Sequence, residues 1–207
     1  MINLEKEQLL NYAYEEIPSR AELIDKCNLW VEKALNLPKY SFSELFKEVP
    51  IKGKTENHRN LAIWGELYNN WSKESYDAEG SPLHLNKPKN EVKGIYIFYE
   101  NGTPVYTGIS RKIVQRLRNH FTGTTHFQAT LAYLILRDQH DKSPNGLYKE
   151  KREKLPEFIN HRPTLQEQMK KDWKIAILPI SCNYELYVTE VLLACELRTK
   201  WNSFETH

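Results

Sequence analysis

Apolar positions along the chain change their period once, near residue 92. Before that point they recur at helical intervals. Leu4, Leu9, Leu10, Tyr14 and Ile17 predict a helix over 3–17, which Pro18 ends. Ser19 followed by Glu22 is a capping box, and Leu23, Cys27, Trp30, Val31 and Ala34 make the stretch to Leu35 an amphipathic helix. Ser41 with Glu44 repeats that signal for a short helix through Phe46. Leu61, Trp64, Leu67, Tyr68 and Trp71 then share one aromatic-rich face, and the Gly, Ser, Pro and Asn content of 75–92 marks a linker. Beyond it the period drops to two. Residues 92–108 are two short apolar runs around Asn101-Gly102, which predicts a β-hairpin. A helix over 111–121 carries Ile113, Leu117 and Phe121 on one face, and another is predicted over 127–138. Residues 139–172 read as a polar insert, with Pro144-Asn145-Gly146 and Arg162-Pro163-Thr164 as turns around short helical pieces. A strand over 174–180 and a last helix from about Tyr184 to Trp201 complete the pattern. The second half is therefore β-β-α-α-insert-β-α, an α+β module.

Composition narrows the class. With 207 residues, 40% hydrophobic and 27% charged, the chain is long and apolar enough for a globular core, which excludes wholesale disorder. No apolar run approaches the length of a membrane span. The N-terminus lacks the basic and apolar regions of a secretion signal. Cys27, Cys182 and Cys195 are too few for a disulfide framework or a metal knuckle, so a cytoplasmic, reducing setting is expected. The formal charge of +2 is uninformative until it is divided. Residues 1–90 carry 12 Lys/Arg against 14 Asp/Glu, whereas 91–207 carry 17 against 13. A polyanion would sit on the second half.

Three groups of residues there invite chemistry. Arg116 and His120 are one helical turn apart, flanked by Lys112 and Arg118, and such a face suits a phosphate; an ordinary solvated face has the same spacing. Glu190 falls inside the apolar stripe of Leu186, Leu193, Leu197 and Trp201. A carboxylate there needs a cation, a metal ion or a strong donor, unless it reaches out to solvent or pairs with an arginine. Tyr96 and Tyr106 lie on the two hairpin strands, with Gly94 and Gly108 letting the backbone run close to its neighbours. Phenols, an Arg/His pair and a submerged carboxylate together suit phosphodiester hydrolysis.

In order and interval, Gly94-Ile95-Tyr96, Val105-Tyr106-Thr107-Gly108, Arg116, His120, Glu190 and Asn202 resemble the GIY-YIG nuclease family, over about residues 92–204. The resemblance implies a core with a small three-stranded antiparallel sheet flanked by helices, here preceded by a mainly helical region. It implies Tyr96 as general base or positioner of the attacking water, and Tyr106 as its partner facing the scissile phosphate. Arg116 would neutralise the phosphate and His120 would assist the proton network. Glu190 would ligate one Mg²⁺ or Mn²⁺, completed by waters and substrate oxygens, and Asn202 would brace the site. A phenol needs a nearby cation to act as a base at neutral pH, and Arg116, Lys112 and His120 are the candidates. Arg111, Lys112 and Arg118 would contact DNA. Thr107 stands where the family usually has Ile, a difference of packing.

The implied activity is a metal-dependent DNA endonuclease. Only a few residues follow Asn202, so specificity is expected from the 1–90 region, the 139–172 insert or a second copy of the chain. That arrangement is most similar to compact restriction enzymes of the family, which cut as homodimers. A structure- or single-strand-specific repair or mobile-element nuclease, and a non-catalytic nucleic-acid-binding protein, are the alternatives.

Overall fold

The change of period at residue 92 marks the entry to the central sheet. In the computed structural model, which describes residues 17–46, 93–140 and 156–202, the hairpin strands are β2 (Gly94–Glu100) and β3 (Thr103–Ser110). Asn101 and Gly102 both adopt positive φ, 50° and 81°, as a tight two-residue turn between twisted strands demands. β4 (Trp173–Pro179) pairs antiparallel with the other side of β2. The expected three-stranded antiparallel core is therefore present, and a fourth strand extends it. That strand, β1 (Tyr40–Ser41), pairs antiparallel with β4 at Ile175 and Lys174, giving the order β1-β4-β2-β3.

Both capping boxes form. Ser19 Oγ accepts from the Glu22 amide at the start of α1 (Arg20–Leu35), and Ser41 Oγ does the same for Glu44 in α2 (Phe42–Leu45). The helices that follow β3 are α3 (Ile113–Thr122) and α4 (Thr130–His140). One element departs from the sequence reading. The segment around Pro163 is no turn but the interior of a 17-residue helix, α5 (Pro156–Asp172). Pro163 and Ile159, the residue whose carbonyl loses its helical N–H partner, are both exposed, so water can replace that bond. The predicted last helix is shorter than expected: α6 (Asn183–Leu197) stops at Arg198, which takes a left-handed conformation at φ 49°. The expected helix over 3–17 lies almost wholly outside the described residues, as do the Leu61–Trp71 face, the 75–92 linker and 141–155 of the insert.

Alternation along β2 separates two layers. Tyr96 and Phe98 face a core with Ile113, Leu117 and Phe121 of α3, Leu131 and Ile135 of α4, and Met169 of α5. Ile95, Ile97 and Tyr99 face the opposite way, against Leu186 and Leu193 of α6 and Ala34 of α1. α1 is tied to α6 by a hydrogen bond from Trp30 Nε1 to Glu185 (2.7 Å) and an ion pair of Lys26 with the same carboxylate (3.4 Å). Helix and strand from the first half thus pack on the sheet of the second. No helix among the described residues is long and apolar enough to cross a membrane. Cys27, Cys182 and Cys195 form no disulfide.

Candidate active site

Pairing register decides which hairpin residues meet. Tyr96 lies opposite Gly108, and Phe98 opposite Tyr106. A Cβ on Gly108 would come within 2.5 Å of the Tyr96 hydroxyl and 2.9 Å of the Tyr106 ring, so this glycine makes the space both phenols occupy. Gly94 serves the scaffold instead: a Cβ there would run into the backbone of Leu178 and Pro179 on β4. The two tyrosine rings lie 6.1 Å apart, and His120 from α3 completes a triangle at 5.5 Å from Tyr96 and 5.9 Å from Tyr106.

Tyr96 is sealed from solvent, and its hydroxyl is the hub of the cluster. His120 Nε2 is 2.8 Å away and Arg116 Nε donates to it at 3.3 Å. Burial, aided by the Arg116 charge, holds the His120 imidazole well below its usual range, so the ring is neutral. Its Nδ1 is buried with no partner among the described residues. We assign the single proton to Nε2, because the other tautomer would bury an unpaired N–H in place of a bare lone pair. His120 and Arg116 then both donate to the Tyr96 oxygen, leaving the phenolic proton free to point elsewhere. Burial drives the Tyr96 pKa well above 10 despite the opposing pull of Arg116. Of the cations expected to activate a phenol, Arg116 alone takes that place. His120 is neutral and buried rather than part of a solvated phosphate-binding face, and Lys112 is exposed at the helix start.

Arg116 is more firmly anchored than its sequence context announces. One terminal nitrogen donates to the carbonyls of Phe127 (2.9 Å) and Gln128 (3.3 Å), and the other to Thr130 Oγ1 (3.1 Å). These anchors belong to the α3–α4 connection and were missed. Backbone carbonyls leave no mark in a sequence. Gln166 of α5 was missed as well: its side-chain amide donates to the carbonyls of His120 (2.9 Å) and Gly123 (3.0 Å), fixing the end of α3. The spacing of Phe158, Leu165 and Met169, with Gln166 beside them, was the available signal, obscured by Pro163.

Glu190 comes from the other layer. It lies on α6, within reach of the Ile109 amide of β3 and close enough to Tyr106 for its charge to raise that phenol further. Burial lifts the Glu190 carboxyl to about 7, opposed only by the Ile109 amide. Among the described residues no Lys or Arg forms an ion pair with it, and no group of three metal-ligating side chains occurs. A half-buried carboxylate with no cation paired to it among the described residues fits an Mg²⁺ that keeps most of its water and takes further oxygens from a phosphate.

Asn202 lies beyond the helix end, in the segment that returns to β3. Its side chain pairs with both backbone groups of Thr107, accepting from the amide and donating to the carbonyl at 2.7 Å each, while the Trp201 amide donates to the Val105 carbonyl at 3.0 Å. The open edge of β3 is thereby covered. Thr107 itself is fully buried opposite Ile97, with its hydroxyl unpartnered among the described residues. Arg111, Lys112 and Arg116 line a surface groove of about 450 Å³ with Ser110, Gln115 and Tyr187. Arg118, two residues past Arg116 and so on another side of α3, is exposed and not part of this groove.

Residues 92–178 match the family described as GIY-YIG catalytic domain. No curated protein and no solved structure matches the chain. A GIY-YIG nuclease domain is thus present over those residues, and it supports nuclease activity and DNA binding. The match ends before α6, so Glu190 and Asn202 lie outside it.

Proposed function

We propose that the protein is a metal-dependent DNA endonuclease that cleaves both strands at defined sites, as a restriction enzyme does. The observation that carries this reading is the convergence of Tyr96, Tyr106 and His120 around Arg116, which also lines a basic groove, with the Glu190 charge acting on Tyr106. Arg116 is held so that its charge faces the phenols and the groove, where it neutralises a phosphate. With His120 and Arg116 both donating to its oxygen, the Tyr96 hydroxyl keeps its own proton and directs it as a donor, so it positions the Tyr106 hydroxyl and, through it, the attacking water rather than acting as the base. Tyr106, half-buried between Arg116 and Glu190, orients the water and the scissile phosphate. Glu190 would hold the Mg²⁺ (or Mn²⁺), which supplies charge stabilisation on the phosphoryl oxygens when bound. Asn202 braces β3, which carries Tyr106 and Gly108. Arg111 and Lys112 on the groove, and Arg118 beyond it, meet flanking phosphates.

Two cuts in a duplex call for two copies of this single site, so a homodimer on DNA is the form we propose. Residues 1–90 and the 139–172 insert would contribute to recognition and dimerisation. Alternation of strand breaks into discrete fragments distinguishes this role from a structure- or single-strand-specific nuclease. The decisive experiment incubates long duplex DNA of known sequence with the protein and Mg²⁺, with Glu190→Ala in parallel. Discrete fragments from the wild type and none from the variant are expected. A well-folded wild type that cuts no substrate removes the enzymatic reading and leaves a nucleic-acid-binding protein.

A further inference from the structure

The connection between α3 and α4 does more than anchor Arg116. It presents Phe127 with 74% of its surface exposed, more than any other large hydrophobic side chain described. The segment is built to hold that ring still. The Thr124 amide donates to Gln128 Oε1 (3.1 Å), the Gln128 amide to Thr125 Oγ1 (3.3 Å), and the Thr130 hydroxyl to the Phe127 carbonyl (3.0 Å). The His126 ring lies against Phe127 with centroids 3.9 Å apart and planes 38° from parallel. Phe127 is also the residue whose carbonyl receives Arg116 at 2.9 Å. A fixed, exposed aromatic face is therefore carried by the same residue that anchors the guanidinium assigned to the phosphate. The surrounding charge suits DNA as well: residues 111–137 contain five Lys/Arg and no Asp or Glu. An exposed phenylalanine held in place at a cost in hydration gains from a partner with a flat apolar face and negative charges around it.

We propose that Phe127, backed by His126, is a stacking platform for a DNA base next to the scissile phosphate. The base would leave the duplex stack and lie on the ring while Arg116 holds the neighbouring phosphate. This rests on the DNA nuclease reading and adds a base contact to it. Stacking accepts any base, because every base has a π-face, so the platform contributes affinity and local DNA distortion rather than sequence choice.

Binding without divalent metal tests the assignment. The probes are fluorescein-labelled oligothymidylate and an oligomer of equal length built from abasic residues, which keeps the phosphates and lacks the bases. The wild type is expected to bind oligothymidylate about tenfold more tightly than the abasic strand, a typical worth for one base–aromatic stack. Phe127→Ala should bind both at the wild-type abasic level, and Phe127→Trp should restore the preference. A melting temperature matching the wild type, expected for an exposed ring, shows that Phe127→Ala is folded; a collapse of that variant passes the decision to Phe127→Trp and to the wild-type pair of affinities. Equal wild-type affinity for the two probes overturns the platform and leaves phosphate binding intact. Failure of the wild type to bind either probe overturns the platform and the nucleic-acid reading together.

Discussion

The two faces of strand β2 carry opposite chemistry. Ile95 and Ile97 lie in an apolar layer with residues of α1, α6 and the neighbouring strands, whereas Tyr96 and Phe98 meet a layer into which His120 and Arg116 are set. The first face stabilises the sheet by removing apolar area from water. The second gives up part of that gain to hold a neutral imidazole, a guanidinium and two phenols in fixed geometry. Glu190 joins them across the boundary: its helix packs on the apolar face while its carboxylate accepts from the Ile109 amide and acts on Tyr106, both of β3. Stability and activity should therefore separate by layer, and substitutions can test whether they do.

The largest separation is expected at Glu190. Glu190→Gln keeps shape but removes the charge, and Mg²⁺-supported cleavage should fall by about 10³-fold, the scale of losing a principal electrostatic group. Its stability should move the other way. The folded carboxyl titrates at about 7, above the ordinary carboxylate range, so the folded state binds more protons than the unfolded one between pH 4.5 and 7. The cost of burying the charge is absent below about pH 4.5, grows as pH rises and is complete above about pH 7. At pH 8 the variant should be more stable by about 2 kcal/mol, and near pH 4.5 the two should unfold alike. Denaturant titrations at the two pH values check this; equal stability at both would mean the carboxylate is solvated. The same protonation competes with metal, so wild-type cleavage should decline as pH drops through about 7.

Ile97→Ala sharpens the contrast from the other face. Ile97 is fully buried, and truncation should cost about 2–5 kcal/mol of stability. Turnover per folded molecule at low temperature should stay near the wild-type value. A large loss of turnover with the fold intact would show that the aliphatic layer positions the site and does not merely support it.

Arg116→Lys probes the polar layer alone. A lysine keeps the charge but cannot serve Tyr96, two carbonyls and Thr130 together. Cleavage should fall about 10²-fold with a smaller loss of stability, on the order of 1–2 kcal/mol for the carbonyls left unpaired. A variant with normal rates would make Arg116 a plain charge.

How much of this was legible follows the same division. The caps at Ser19 and Ser41 and the alternation of β2 are local patterns, and a reading of the sequence finds them. β1 is two residues long, too short for any period, and exists only because Ile175 and Lys174 lie beside it. α5 was hidden by Pro163, since a rule about interior prolines does not reveal that the lost bond faces solvent. At the site, the residue types and intervals of Tyr96, Tyr106, Arg116 and His120 were readable. The burial of His120 was available too, because it falls on the Ile113, Leu117 and Phe121 side of α3. The anchors of Arg116 and the edge contacts of β3 were not, being made by backbone groups distant in sequence.

Those edge contacts give the smallest and most local test. Asn202 offers Thr107 one acceptor and one donor, the two groups a neighbouring strand would supply. Asn202→Asp keeps size and acceptor but loses the donor, and it sets a carboxylate against the Thr107 carbonyl. The Thr107 carbonyl is then left without its partner in a partly buried place, costing about 1–2 kcal/mol. Because Tyr106 and Gly108 flank Thr107 on β3, loosening this edge should also lower turnover a fewfold, without changing affinity for DNA. Lowering the pH should recover part of the stability loss, since a protonated Asp regains a donor. A loss insensitive to pH would mean that the bond to the Thr107 carbonyl is not what holds β3 in place.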